Sequence, residues 1–330
     1  MPEQQLPTAT IVDAVTIACR APSLHNSQPW RWVATESTIE LYADPDRTIR
    51  AADSTGREAL ISCGAVLDHF RVAMAAAGWA TSVRRLPEPS DPRHIASIEF
   101  SPAPEVSAEH RRRADAILLR RTDRLPLNAP DDEEFDDILG SPSEHVTVQI
   151  DTVAEDQRDL LAETSHLAEA LRLYDTEYHS ELRWWTSDFV ADGGIPRSAL
   201  VSAAESDRVG VGRMFPVTSQ PERRDHVAVD RAGIVVLCTA DDTAESVLRC
   251  GEALSALLLD ATATGMATCT VTHITEIPEG RDVVAAAIST AGIPQVLVRV
   301  GRAPALDAAP PPTPRRPVSE VLEIRRGAPC

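Results

Sequence analysis

Apolar residues recur at helical spacing through "TATIVDAVTIACR", and Thr10 with Asp13 three residues later forms an N-cap signature. Pro22 then stops that helix. "WRWVATESTIELYAD" alternates about a polar turn and predicts a hairpin. In "GREALISCGAVLDHFRVAMAAAGW" apolar residues cover most of a helix surface, which predicts a long, centrally buried helix. "HIASIEFS" reads as a strand, "PAPEVSAEH" as a connector and "RRRADAILLRR" as a helix. Beyond it, "HVTVQIDTV", "GIVVLCTA" and "QVLVRVGRA" read as strands, and "DQRDLLAETSHLAEALRLY" and "ESVLRCGEALSALLLDATATG" as helices. The tail "APPPTPRRPVSEV" is proline-rich but ends in an apolar pattern, which suits a docked arm.

The pattern repeats. "CGAVLDHFRVAMAAAGWAT" from Cys63 and "CGEALSALLLDATATGMAT" from Cys250 align without a gap at an offset of 187 residues. They share Cys, Gly, Leu67/Leu254, Ala76/Ala263, Gly78/Gly265, Ala80/Ala267 and Thr81/Thr268. Each is a buried helix ending at a glycine stop. Duplicated helices of this kind suggest two half-molecules packed helix against helix, a symmetric dimer fused into one chain.

With 330 residues and 43% hydrophobic side chains, the chain can bury a large core. The net charge of −18 argues against nucleic acid and anionic membranes as general partners. There is no lysine, so each positive charge is an arginine fork. The six cysteines are scattered, with no zinc spacing, and the nine histidines show no ligand pattern. No secretory signal is present, and the apolar segments around 64–78 and 253–267 carry charges and are too short to span a bilayer. The expectation is a cytoplasmic protein with reduced thiols and no metal.

Four stretches could carry chemistry. Arg120, Arg121, Thr122 and Arg124 crowd forked donors and a hydroxyl into five residues, which suits a phosphate or, alternatively, a solvated basic patch. Arg315 and Arg316 lie between stiffening prolines. In "APSLHNSQPW", Pro22 and Pro29 fix the backbone, so Ser23, His25, Asn26 and Gln28 either cap the helix or present polar groups to a ligand at low entropic cost. His25 reads as a loop hydrogen-bonder rather than a catalytic base. "GMATCTVTHI" would line a cleft with Thr268, Thr270, Thr272 and His273, or be an edge strand. Protease, hydrolase and Walker A motifs are missing, and "GVGRMF" at 210–215 is an incomplete glycine motif.

Together, "RAPSLHNSQPWRW", the "SCGAVLDHFRVAMAAAG" helix and "ILLRRTDRLP" resemble the flavin-dependent nitroreductase family, in particular its Acg-like, single-chain fused subgroup. The resemblance covers nearly the whole chain and implies a nitroreductase-like α+β fold. Ordinary members are intertwined homodimers with two FMN sites at the interface. Here it implies a first half at 1–105 supplying the A-P-S-x-x-N-x-Q-P-W loop. A second half at 106–330 would supply the R-R-S-x-R-like clamp, a covering segment at 184–226 and the C-terminal arginine. FMN, bound non-covalently, would touch Pro22, Ser23, Asn26, Gln28, Pro29, Trp30, Arg31 and Trp32. On the phosphate side it would meet Arg120, Arg121, Thr122, Arg124 and Arg316, or its neighbour Arg315. Backbone amides of Thr272 and His273 would approach flavin N5. Each half lacks what the other keeps, so the resemblance implies one FMN per chain and a monomer that needs no partner subunit. With the flavin carrying the chemistry, no side chain need be catalytic, and NAD(P)H would donate electrons to a nitroaromatic or quinone. The alternative is an inactive protein that sequesters FMN, or serves stress adaptation, under a closed lid.

Overall fold

The structure is a computed structural model that describes residues 6–35, 37–140, 147–187, 190, 192–306 and 310–325. Its centre is a pair of 20-residue helices, α2 (Arg57–Ala76) and α8 (Ala244–Ala263), packed on each other. Before α2 come α1 (Thr8–Ala18) and the hairpin β1 (Trp30–Ala34) and β2 (Thr38–Ala43). After it come β3 (Trp79–Arg85), β4 (His94–Pro102) and α3 (Ala108–Leu119). The chain continues through α4 (Asp132–Gly140), β5 (Val148–Thr152), α5 (Arg158–Leu171), α6 (Thr176–Trp185) and α7 (Ala203–Asp207). β6 (Gly233–Thr239) leads into α8, followed by β7 (Ala267–Val271), α9 (Pro278–Ala286) and β8 (Ile293–Gly301). The arm closes with α10 (Val318–Val321) and β9 (Leu322–Ile324).

The strands form two sheets, ordered β3-β4-β2-β1-β9 and β5-β6-β8-β7. Read from the strand after each long helix, the orders are β3-β4-β2-β1 and β7-β8-β6-β5. The two sheets therefore share one arrangement. β9 alone breaks it: the C-terminal arm crosses back and pairs in parallel with β1, setting Trp32 opposite Leu322.

The helix crossing shows the same correspondence at atomic scale. A Cβ on Gly64 would lie 2.1 Å from the Leu248 carbonyl oxygen, and one on Gly251 2.1 Å from that of Ile61. Both pairs obey the offset of 187, so the shared glycines exist because two backbones touch there. Gly78 and Gly265 stop their helices with φ of 85° and 79°, values that favour glycine.

Charges inside these apolar helices are matched across the interface. Ser255 donates to Asp68 at 2.5 Å, and Arg85 and Arg113 fork onto Glu252 and Asp260. Two expectations change. Helix α1 begins at Thr8, behind an extended Pro7 and without a side-chain cap, so Thr10 is not its N-cap. Helix α2 is long and apolar enough to cross a membrane, yet 67% of that stretch is buried against protein, which makes it a core helix.

Candidate functional site

The loop after α1 has an unusual backbone. His25, Asn26 and Gln28 have φ of 49°, 58° and 54°, a left-handed region costly for side chains other than Asn or Asp. Polar contacts hold it. Ser23 Oγ accepts from the Gln28 amide at 3.0 Å, and Asn26 Nδ2 donates to the carbonyls of Gly194 (2.9 Å) and Pro314 (3.0 Å). Gln28 is fully buried; it donates to the Asp192 carbonyl at 2.9 Å and accepts from the Arg316 amide. The loop thereby ties together the 192–195 segment and the C-terminal arm.

On one side of this loop lies a polar recess of about 500 Å³ bounded by Arg20, Arg120, Arg121, Arg124 and Arg315, with Ser23 and Thr122. Among the described residues, none that lines it is acidic. Arg120 donates to the Arg20 carbonyl, as does Arg315, and the Nε atoms of Arg120 and Arg315 are buried without a partner among the described residues. Burial, then the guanidiniums of Arg315, Arg20 and Arg121, pull Arg120 down to about 9. Burial and Arg20 lower Arg315 to about 10. Like charges gathered without an acid make a site for an anion.

The recess shares Pro22, Ser23, Thr122 and Arg124 with a larger, mostly apolar cleft of about 990 Å³. Helix α2 offers Glu58, Ile61, Ser62 and Ala65 to it, and β7 with the residue that follows offers Cys269 to Thr272. Residues 201–215 complete the wall with Val201, Ser206, Val209, Gly212, Arg213 and Phe215. That segment is tied down. Arg213 pairs with Glu276 and donates to the Tyr178 hydroxyl at 2.8 Å, while Arg224 forks onto Asp123 at 3.1 and 2.7 Å. Arg124 stacks over Phe215, 5.0 Å from the ring centre, and burial lowers its pKa. His25 stands edge-on to the same ring, and burial, then Arg213, hold it well below the usual imidazole range, hence neutral.

The sequence-predicted residues divide accordingly. Pro22, Ser23, Asn26, Arg120, Arg121, Thr122, Arg124 and Thr272 line the recess or the cleft. Gln28 sits behind the loop as a brace. Pro29, Trp30, Arg31 and Trp32 line neither space: Trp30 and Trp32 are buried in the first core, the latter against Phe70, and Arg31 points to solvent. Strand alternation alone explains them, since both tryptophans fall on the core face of β1. The His273 side chain is also behind the wall, its Nε2 2.8 Å from Ser165 Oγ. Arg316 turns away onto Asp44 at 3.0 Å, and Arg315 takes the place at the recess. Thr270 on β7 and Thr272 just after it line the cleft, Thr268 and His273 do not, and β7 is an edge strand of its sheet. Sequence reasoning missed Arg20, Glu58, Arg213 and Phe215; only the "GVGRMF" stretch held a clue to the last two.

No family model matches the chain. Two proteins of Mycobacterium tuberculosis bearing the name "Putative NAD(P)H nitroreductase" do. One, acg, is 57% identical over 326 residues, covering 98% of each chain; the other, Rv3131, is 38% identical, covering 95% of this chain and 91% of its own. A third, "Uncharacterized protein Rv3127", is 50% identical over 95% of this chain and 93% of its own. The chain therefore belongs to the nitroreductase family, in the group that includes Acg. Among solved structures, FMN-dependent nitroreductase NfnB of Mycobacterium smegmatis in complex with NADPH overlaps with a TM-score of 0.39 at 19% identity, over 64% of this chain and 96% of its own. A Desulfitobacterium hafniense nitroreductase with bound FMN overlaps at 0.39 and 14%, over 63% and 95%.

Proposed function

We propose that the chain is a fused pair of nitroreductase halves, 1–105 and 106–330, that binds one FMN and uses NAD(P)H to reduce a nitroaromatic or quinone. The observation that carries this reading is the recess lined by five arginines, which opens into an apolar cleft. A phosphate dianion would offset part of the charge gathered by Arg20, Arg120, Arg121 and Arg315 and give the stranded Nε atoms a partner. The adjoining cleft has the apolar walls an isoalloxazine ring needs, with Arg124 and Thr122 at the junction. FMN supplies the redox chemistry when bound; the protein's residues bind, orient and exclude water. The loop and the arginine run each occur once, which supports one site per chain, and a chain carrying both halves needs no second copy. We place the protein in the cytoplasm on the same reading.

The pinned 201–224 segment favours a second reading. A lid held by Arg213–Glu276 and Arg224–Asp123 would keep nicotinamide off the ring and make the protein a store for FMN. Anaerobic addition of NADPH or NADH to the FMN-loaded protein separates the two. Rapid loss of flavin absorbance supports the reductase; bleaching by dithionite alone supports the store.

A further inference from the structure

Glu58 lies in the first turn of α2, and its side chain is 3% exposed. It forms part of two walls at once. One is that of the cleft; the other bounds a separate groove of about 970 Å³ between the start of α2 and that of α8, lined also by Asp53, Asp242, Thr275 and Glu276. Among the described residues lining the cleft, Glu58 is the only carboxyl. Glu276, on the groove, accepts at 2.8 Å from Thr272 Oγ1, which lines the cleft. Glu58 and the Thr272–Glu276 hydrogen bond thus connect the two spaces.

Reduction of a quinone by NAD(P)H consumes one proton beyond the transferred hydride. Behind a cover anchored by buried arginines, that proton needs its own route. The other titratable groups of the cleft do not supply it: His25 is held neutral, burial raises the Cys269 thiol, and Arg124, Arg213 and Arg299 are guanidiniums. Building on the flavin reading above, we propose that Glu58 is the acid that supplies protons to the cleft, drawing them from water in the groove on its other side. The Glu58 O–H bond breaks, an O–H bond forms on the acceptor oxygen, and the carboxylate regains a proton from groove water, whose hydroxide is neutralised by bulk solvent. Electrons come from the nicotinamide donor.

The surroundings suit that task. Arg57 on the same helix touches the carboxylate; Asp53 faces it from the preceding loop, Glu276 from beyond β7 and Arg213 from the covering segment. Burial dominates, Arg57 and Arg213 oppose it, and Glu276 and Asp53 reinforce it, which leaves the carboxyl at about 8. Burial thus shifts the balance toward the protonated form despite the Arg57 contact, the direction a proton donor working near neutral pH requires.

Glu58→Gln keeps the shape of the protonated acid and removes the proton. Infrared difference spectra of the ligand-free protein at pH 7 should show a buried carboxylic-acid carbonyl band that E58Q lacks. In FMN-loaded, pre-reduced protein, reoxidation by a quinone should slow about a hundredfold in E58Q. The wild-type rate should fall as pH rises through about 8 while the variant's stays flat. FMN uptake with no lost band and an unchanged reoxidation rate in E58Q would overturn this proposal alone. Failure of the wild-type chain to take up FMN would overturn the flavin reading and this one with it.

Discussion

Arg315 and Arg316 are neighbours in sequence and point in opposite directions: the first toward the recess, the second onto Asp44 and the Gln28 and Trp30 carbonyls. The "TPRRP" stretch fixes that two arginines are held stiffly but not which one faces inward, because that depends on where the arm crosses β1. Arg315→Ala should weaken FMN binding by about 10- to 100-fold through loss of a charge-assisted contact. Arg316→Ala should act mainly on thermal stability by stranding Asp44, and titration with FMN distinguishes the two. Ser23, Asn26 and the R-R-T-D-R cluster were legible because their chemistry is local and dense. Glu58 was not, being one glutamate in an apolar helix whose meaning comes from two cavities. It also has a stability signature. Its carboxyl sits at about 8 in the folded chain against 4.5 ordinarily, so the folded state binds more protons between those values. Stability should therefore fall as pH rises from about 4.5 to about 8, and denaturant midpoints across that range should lose this slope in E58Q.

Among the elements, α2 and α8 carry the fold, and the repeat in their sequences announced it. What the repeat could not show is that Gly64 and Gly251 are points of backbone contact. Gly64→Ala places a methyl group against the Leu248 carbonyl and should cost about 1–3 kcal/mol, read from the denaturant midpoint. The same substitution at Gly56, where a Cβ meets nothing, answers instead to its φ of 76°, a strain that owes nothing to packing. Elements with a strong apolar period were legible. Strand β3 was not, since its exposed edge alternates with polar and arginine residues. Helix α6 was missed for its aromatic and charged composition, and it buries Tyr178 and Trp185 in a satellite core against which Phe215 packs.

At the scale of the whole molecule, the two sheets share one strand order, the central helices meet about matched glycines, and only the C-terminal arm breaks the match by joining the first sheet. That crossing brings Arg315 to the Arg20–Arg120 recess, so the site draws on the loop after α1, the stretch after α3 and the C-terminal arm together. Such long-range assembly is invisible to periodicity; only the single occurrence of the loop and of the arginine run hinted at it. The test is the amount of flavin bound per chain. Purified protein saturated with FMN and stripped of excess should carry one FMN per chain by absorbance. Two per chain, or none, would contradict the account.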